Sequence, residues 1–96
     1  MGVFLFLTID QGTTSSRSLL FDEKFNVIDV FQKKFKQIYS NESWVEHNPE
    51  EILETVVSCC EKVLKGKHSK KILSIGITNQ RETIIAWDKK TGKPFY

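Results

Sequence analysis

The sequence predicts an α/β fold with a mixed sheet, its elements in the order β-β-β-α-β-β, and three observations carry that prediction. Two unbroken apolar runs of strand length, VFLFLTI (3–9) and ILSIGIT (72–78), have the character of strands covered on both faces. The first three strand-like segments are joined by short connections, which gives an antiparallel meander. Between them and the second apolar run lies one stretch of helical period with a well-marked start. At 96 residues the chain is at most one domain, and a chain of this size buries about two-thirds of its unfolded surface.

Each element follows from its residues. After Ile9 comes DQGTTSSR (10–17), then RSLLFD as a second strand and EKFN as the turn behind it. VIDVFQKKF (27–35) alternates β-branched and aromatic residues with polar ones and reads as a third strand. KQIYSNESWVEHNP is a polar connector with embedded aromatics. The helix then opens on Asn48 as N-cap, Pro49 at the first helical position, and Glu50 and Glu51 near the positive end of the dipole. Glu51 stands three residues after the cap, the spacing of a capping box. Ile52, Leu53, Val56, Val57, Cys60, Val63 and Leu64 fall on one face, and Gly66 terminates the run. A fourth strand over 72–78 ends in the polar cluster NQRET, IIAWD (84–88) is a fifth, and KKTGKP turns the chain toward the start of a sixth.

Composition excludes several classes of function. With 40% hydrophobic and 27% charged residues and a net charge of +2, the chain is of ordinary globular type, and mixed signs point to no nucleic-acid or membrane partner. The basic stretch KGKHSKK (65–71) is read as a solvated loop complementing the helix C-terminus. VFLFLTI is too short for a membrane span, has no basic leader and is closed by Asp10, so it is neither anchor nor signal peptide. Cys59 and Cys60 are adjacent and have no second pair at zinc spacing, which suits small helix-packing residues in a reducing compartment. The sequon NES (41–43) has no secretory context. A cytoplasmic location is expected.

DQGTTSSR is the stretch with chemistry. It matches neither the P-loop nor the dinucleotide-binding glycine pattern. Its residue types nevertheless suit a polyphosphate. Gly12 lets the backbone approach an anion closely. Thr13, Thr14, Ser15 and Ser16 supply hydroxyl and backbone donors, and Arg17 adds a planar cation. Asp10, at the strand end, is placed to hold Mg2+ directly or through water. The competing reading is a hydroxyl-rich turn that satisfies its own backbone, with Arg17 on the surface.

DQGTTSSR resembles the first phosphate loop of the sugar-kinase, heat-shock-70 and actin superfamily, whose N-terminal domains begin with three antiparallel strands and a helix. Together with WVEHNP (44–49), GITNQRET (76–83) and TGKPFY, in this order and spacing, it looks like the opening segment of the glycerol kinases, within the FGGY carbohydrate kinases. The resemblance spans the whole chain. It implies that residues 1–96 are the N-terminal portion of a ribonuclease H-like (actin-like ATPase) domain, with the C-terminal domain absent. By resemblance Thr13, Thr14 and Ser15 contact the phosphates of ATP, Arg17 contacts its phosphate end, and Asp10 lies near the magnesium. Arg81 and Glu82 match the pair that holds glycerol. A small uncharged polyol needs convergent donors and acceptors, which a guanidinium and a carboxylate supply. An ion pair between neighbours is the bland alternative for these two. Trp44, Glu46 and His47 are assigned no chemistry, and Trp87 is read as a core or interface residue.

The activity implied is transfer of the γ-phosphoryl of ATP to a terminal hydroxyl of glycerol. The family's catalytic aspartate, the rest of its glycerol pocket and the domain holding adenosine all fall beyond residue 96. Glu82, fixed by Arg81, makes a poor replacement base. The isolated chain is therefore expected to lack useful turnover. A kinase for another small polyol or sugar, or a non-catalytic remnant or interaction module docking on the missing half, are the alternatives. Dimers or tetramers are common in the family. With one helix for two apolar strands, part of the sheet and one edge are expected to be exposed.

Overall fold

The computed structural model describes residues 4–41, 44–66, 71–80 and 83–94. Strands β1 (Phe4–Gln11), β2 (Ser15–Phe21) and β3 (Val27–Lys34) form the expected meander. Helix α1 (Pro49–Leu64) then crosses over to β6 (Lys71–Thr78), which pairs in parallel with β1. The resulting four-stranded mixed sheet has the order β3-β2-β1-β6.

The connector between β3 and α1 is more ordered than the sequence suggests. Residues 38–46 contain two short antiparallel strands, β4 (Ile38–Asn41) and β5 (Trp44–Glu46), with Asn41 opposite Trp44. Ile38, Tyr39, Trp44 and Val45 are strand formers, and pairing them satisfies backbone groups that a polar loop leaves to water.

The opposite correction applies to IIAWD. Residues 84–86 form no strand, and only Trp87 makes an isolated bridge, to Pro94. That bridge closes a turn in which the Asp88 N–H donates to Lys93 O at 2.8 Å and the Gly92 N–H donates to Asp88 O at 2.8 Å. Gly92 adopts φ 76°, the left-handed region that favours glycine. Apolar β-branched residues make a strand only when a neighbour accepts their ladder. Among the described residues none forms a ladder with 84–86, and Ile84 is 78% exposed.

Helix α1 begins as read. The Asn48 side chain accepts the N–H groups of Glu50 (3.0 Å) and Glu51 (3.4 Å). The bond made by the Glu51 carboxylate runs to the Lys36 N–H at 2.6 Å, so it ties the end of β3 to the helix rather than closing a capping box. Gly66, at φ 77°, follows the last turn as expected.

The helix is rotated relative to its apolar stripe. Its buried line is Thr55, Cys59 and Val63, while Leu53 and Val57 are exposed. The reason lies in β2, whose residues toward the helix include Ser16 and Ser18, both fully buried. Small residues on both sides let the backbones approach, and the polar atoms pair. The Thr55 hydroxyl bonds Ser16 Oγ at 2.8 Å and donates to Ile52 O at 2.7 Å. The Cys59 thiol faces Ser16 O at 3.4 Å, and Cys60 Sγ lies 3.4 Å from Ser18 Oγ. Both cysteines are free thiols in packing roles, as expected, and burial pushes the Cys59 thiol pKa up.

Leu5, Leu7, Leu20 and Val63 make the core, flanked by Phe31, Cys60, Leu64 and Ile72. The helix lies over β2 and β3, so Ile75 and Ile77 on β6 remain exposed, matching the expectation of an incompletely covered sheet. On the other face Phe6 stacks on Phe25, with centroids 5.4 Å apart. Among the described residues no helix is long and apolar enough to cross a membrane.

Candidate functional site

Strands β1, β3 and β6 all run the same way, so their carboxyl ends meet at one end of the sheet. In open α/β sheets this is where ligands bind. The hairpin joining β1 to β2, the end of β3, the β4–β5 pair and the start of α1 all gather there.

The hairpin is tight. Gln11 pairs with Ser16, and the Gly12 N–H donates to Ser15 O at 2.9 Å. A Cβ at Gly12 would lie 3.2 Å from that same carbonyl oxygen, closer than ordinary contact, so a side chain there would need the Ser15 carbonyl to give by a few tenths of an ångström. Thr13 and Thr14 are exposed at its tip and Ser15 is half-buried. The tip is held from behind: Gln37 Nε2 donates to Thr13 O at 2.9 Å, and the Phe35 N–H donates to Thr14 O at 3.2 Å.

Alternation along the strands divides the dense hydroxyls into two sets. Ser16 faces the helix and is committed to Thr55, so it is a packing residue and not the free donor the sequence suggested. Ser15, Arg17 and Asp10 lie on the opposite face. Ser15 Oγ accepts from Gln32 Nε2 at 2.7 Å and keeps its own proton to donate. Arg17 Nη2 donates to Asp10 Oδ2 at 3.1 Å, with both side chains about half exposed, and Thr78 Oγ1 donates to Asp10 Oδ1 at 3.1 Å. Asp10 is thus held between β2 and β6 with solvent access to its carboxylate. Only one of the five N–H donors of Arg17 is used in this pair.

The donor set suits Mg2+ bound lightly. Among the described residues no three His, Cys, Asp or Glu side chains cluster. One accessible carboxylate beside a hydroxyl, with water filling the other positions, fits an ion that keeps most of its hydration.

Arg81 and Glu82 lie outside the described residues. The chain on either side of them is well tied. Gln80, 8% exposed, donates through Nε2 to Thr83 Oγ1 at 2.7 Å, and the same nitrogen lies 3.2 Å from His47 Nδ1. His47 Nε2 is 2.6 Å from Gln37 Oε1, and the ring stands edge-on to Phe35 at 5.1 Å. Sequence reasoning missed Gln11, Gln37, Gln80 and Thr78, and gave His47 no role. Beside this network a cavity of about 470 Å3 is lined by Thr13, Trp44, Val45, His47, Ile52 and Ile85, among others. Trp44 is therefore a wall of this cavity, and Trp87 a half-exposed bridge residue.

A sequence model of the FGGY family of carbohydrate kinases, N-terminal domain, matches residues 5–96. Glycerol kinase 2 of Thermotoga maritima is 53% identical over 92 residues, covering 94% of this chain and 18% of its own length. Glycerol kinase of Fusobacterium nucleatum is 54% identical over the same span and shares. The crystal structure of Plasmodium falciparum glycerol kinase with ADP superposes with a TM-score of 0.83 at 38% identity, over 98% of this chain and 19% of that one. Gluconate kinase from Lactobacillus acidophilus superposes at 0.88 with 19% identity, over 97% of this chain and 18% of its own, a likeness of fold. The chain spans about a fifth of the length of the relatives it matches.

Proposed function

The chain belongs to the FGGY family of carbohydrate kinases, and from that membership we propose that it forms the phosphate-binding hairpin and part of the polyol site of an ATP-dependent glycerol kinase. The observation that carries this reading is the convergence at one end of the sheet. The glycine-hinged hydroxyl hairpin, the accessible Asp10 carboxylate and the termini of the segment bearing Arg81 and Glu82 all meet there.

In this reading the backbone N–H groups and hydroxyls of Thr13, Thr14 and Ser15 receive the terminal phosphates of ATP. Arg17 directs its unused donors at the same charge. Asp10 offers the protein's oxygen donor to Mg2+, which neutralises phosphate charge when bound. Arg81 donates to glycerol hydroxyls and Glu82 accepts from them, each charge-assisted bond contributing about 1.5–3 kcal/mol. What these groups supply is positioning and charge stabilisation, the main needs of phosphoryl transfer. A general base, typically worth about 10²–10⁴-fold, and the other half of the nucleotide site lie outside residues 1–96 in this reading.

The test is a chimera in which residues 5–94 replace the matching segment of the Thermotoga maritima relative. Glycerol-dependent conversion of ATP to ADP that drops at least about 100-fold in Arg81→Ala and in Thr14→Ala supports the reading. An inactive but folded chimera, or one indifferent to both substitutions, overturns it. The 96-residue chain alone is expected to show no magnesium- and glycerol-dependent turnover.

A further inference from the structure

The hydrogen bonds around His47 fix their own directions. Gln37 Nε2 donates to the carbonyl of Thr13, which can only accept, so the Gln37 amide turns its oxygen to the imidazole. An acceptor at 2.6 Å requires His47 Nε2 to carry the proton, which leaves Nδ1 as acceptor. Gln80 Nε2, 3.2 Å away, donates to Nδ1 and also to Thr83 Oγ1. The Gln80 oxygen is thereby left to accept from Gln11 Nε2 at 3.4 Å, on the last residue of β1. Every group is used in one consistent sense, from the carbonyl at the hairpin tip to the residues flanking positions 81 and 82. Gln80 is buried and His47 half-buried, so the bonds at this end of the run are partly shielded from competing water, while the Gln37–Thr13 bond at the other end is exposed.

We propose that His47 is a positioning residue for the phosphoryl transfer described above. Through Gln37 it holds the tip of the phosphate hairpin, and through Gln80 it is joined to the two residues that flank positions 81 and 82. It thereby sets the separation between phosphoryl donor and acceptor hydroxyl. The inference rests on the glycerol kinase reading and adds a residue to it. His47 reaches both substrates only through its neighbours. Its edge contact with Phe35 fixes the ring plane, so the ring transmits position between its two nitrogens.

Two measurements test this. In the 96-residue chain, nitrogen-15 spectra of the imidazole should report the Nε2–H tautomer. The Nδ1–H tautomer, or averaging of the two, overturns the proposal whether or not the chimera is active. In the active chimera, His47→Phe keeps the ring on Phe35 and removes both nitrogens. It should lower kcat by about 10- to 100-fold, the scale of a misplacement near 1 Å, with each KM within threefold and the thermal midpoint close to the parent. His47→Gln restores the donor toward Gln37 and should recover at least a third of that loss on a logarithmic scale. A His47→Phe enzyme within twofold of the parent kcat overturns the proposal. So does equal impairment of both variants in step with their thermal midpoints. An inactive parent chimera sinks the glycerol kinase reading, a failure separate from either of these.

Discussion

Replacing Thr55 by Val probes the contact that seats the β1–β2 hairpin on the helix. Thr55 is 2% exposed and Ser16 0%, and their hydroxyls lie 2.8 Å apart. Valine keeps the shape and the β-branch, so the helix sees little change. The substitution strands Ser16 Oγ in a dry interface, at a cost of about 1–3 kcal/mol. The methyl that replaces the hydroxyl returns up to ~0.8 kcal/mol. A net loss of about 1–2 kcal/mol follows. Ser16→Ala should cost less, about 0.5–1 kcal/mol, because the Thr55 proton still has Ile52 O as its acceptor. The double variant leaves no stranded group and should be no less stable than Thr55→Val alone, which makes the two substitutions non-additive by roughly the cost of Ser16→Ala. Urea unfolding of the four chains at a common m value reads this directly from the midpoints. Additivity within about 0.3 kcal/mol would show that the pair is not a bonded unit and that α1 sits in a different rotation on β2.

Other outcomes follow from the same structure. Gly12→Ala brings a methyl to 3.2 Å from the Ser15 carbonyl and should lower stability by about 1–2 kcal/mol, visible in the same urea midpoints. Asp22 has its pKa lowered, chiefly by the Asn26 backbone N–H it accepts and helped by the Asn26 side chain and the Lys24 N–H. Its contribution is therefore present above the unfolded carboxylate range and is lost as pH falls through the lower folded value. Asp22→Asn should flatten that acid decline in a series of unfolding curves below pH 5. Cys59, fully buried with its thiol pKa raised, should resist a disulfide-exchange reagent under native conditions while Cys60 reacts first. Two equal fast phases would contradict this packing.

The hairpin of the candidate site was legible because it depends on residue type at short range. A glycine among four hydroxyls at a strand end, between an acid and an arginine, describes the hairpin without reference to anything distant. What was not legible depends on partners. Ser15 and Ser16 are equivalent as letters, yet one faces the open side of the sheet and the other the helix. Glutamines carry no local signal at all. Gln11 and Gln80 meet across 69 positions, and nothing in either neighbourhood announces the contact. The residues WVEH (44–47) had no physical account in the sequence, and the structure supplies one for two of them: Trp44 lines a cavity wall and His47 joins two amides.

The sequence by itself determined the strand and helix segments over residues 4–34, 49–64 and 71–78, the start of the helix at Asn48, and the hydroxyl-rich connection between the first two strands. Hydrophobic period, capping chemistry and turn residues are properties of a few consecutive positions, and they act before any tertiary contact forms. Only the tertiary structure decided the rotation of α1, the pairing of β4 with β5, the failure of residues 84–86 to form a strand, and the linkage through His47. In each case the outcome is set by whether a second segment arrives to accept a hydrogen bond or cover a side chain. That is a question of three-dimensional placement, and no local pattern contains it.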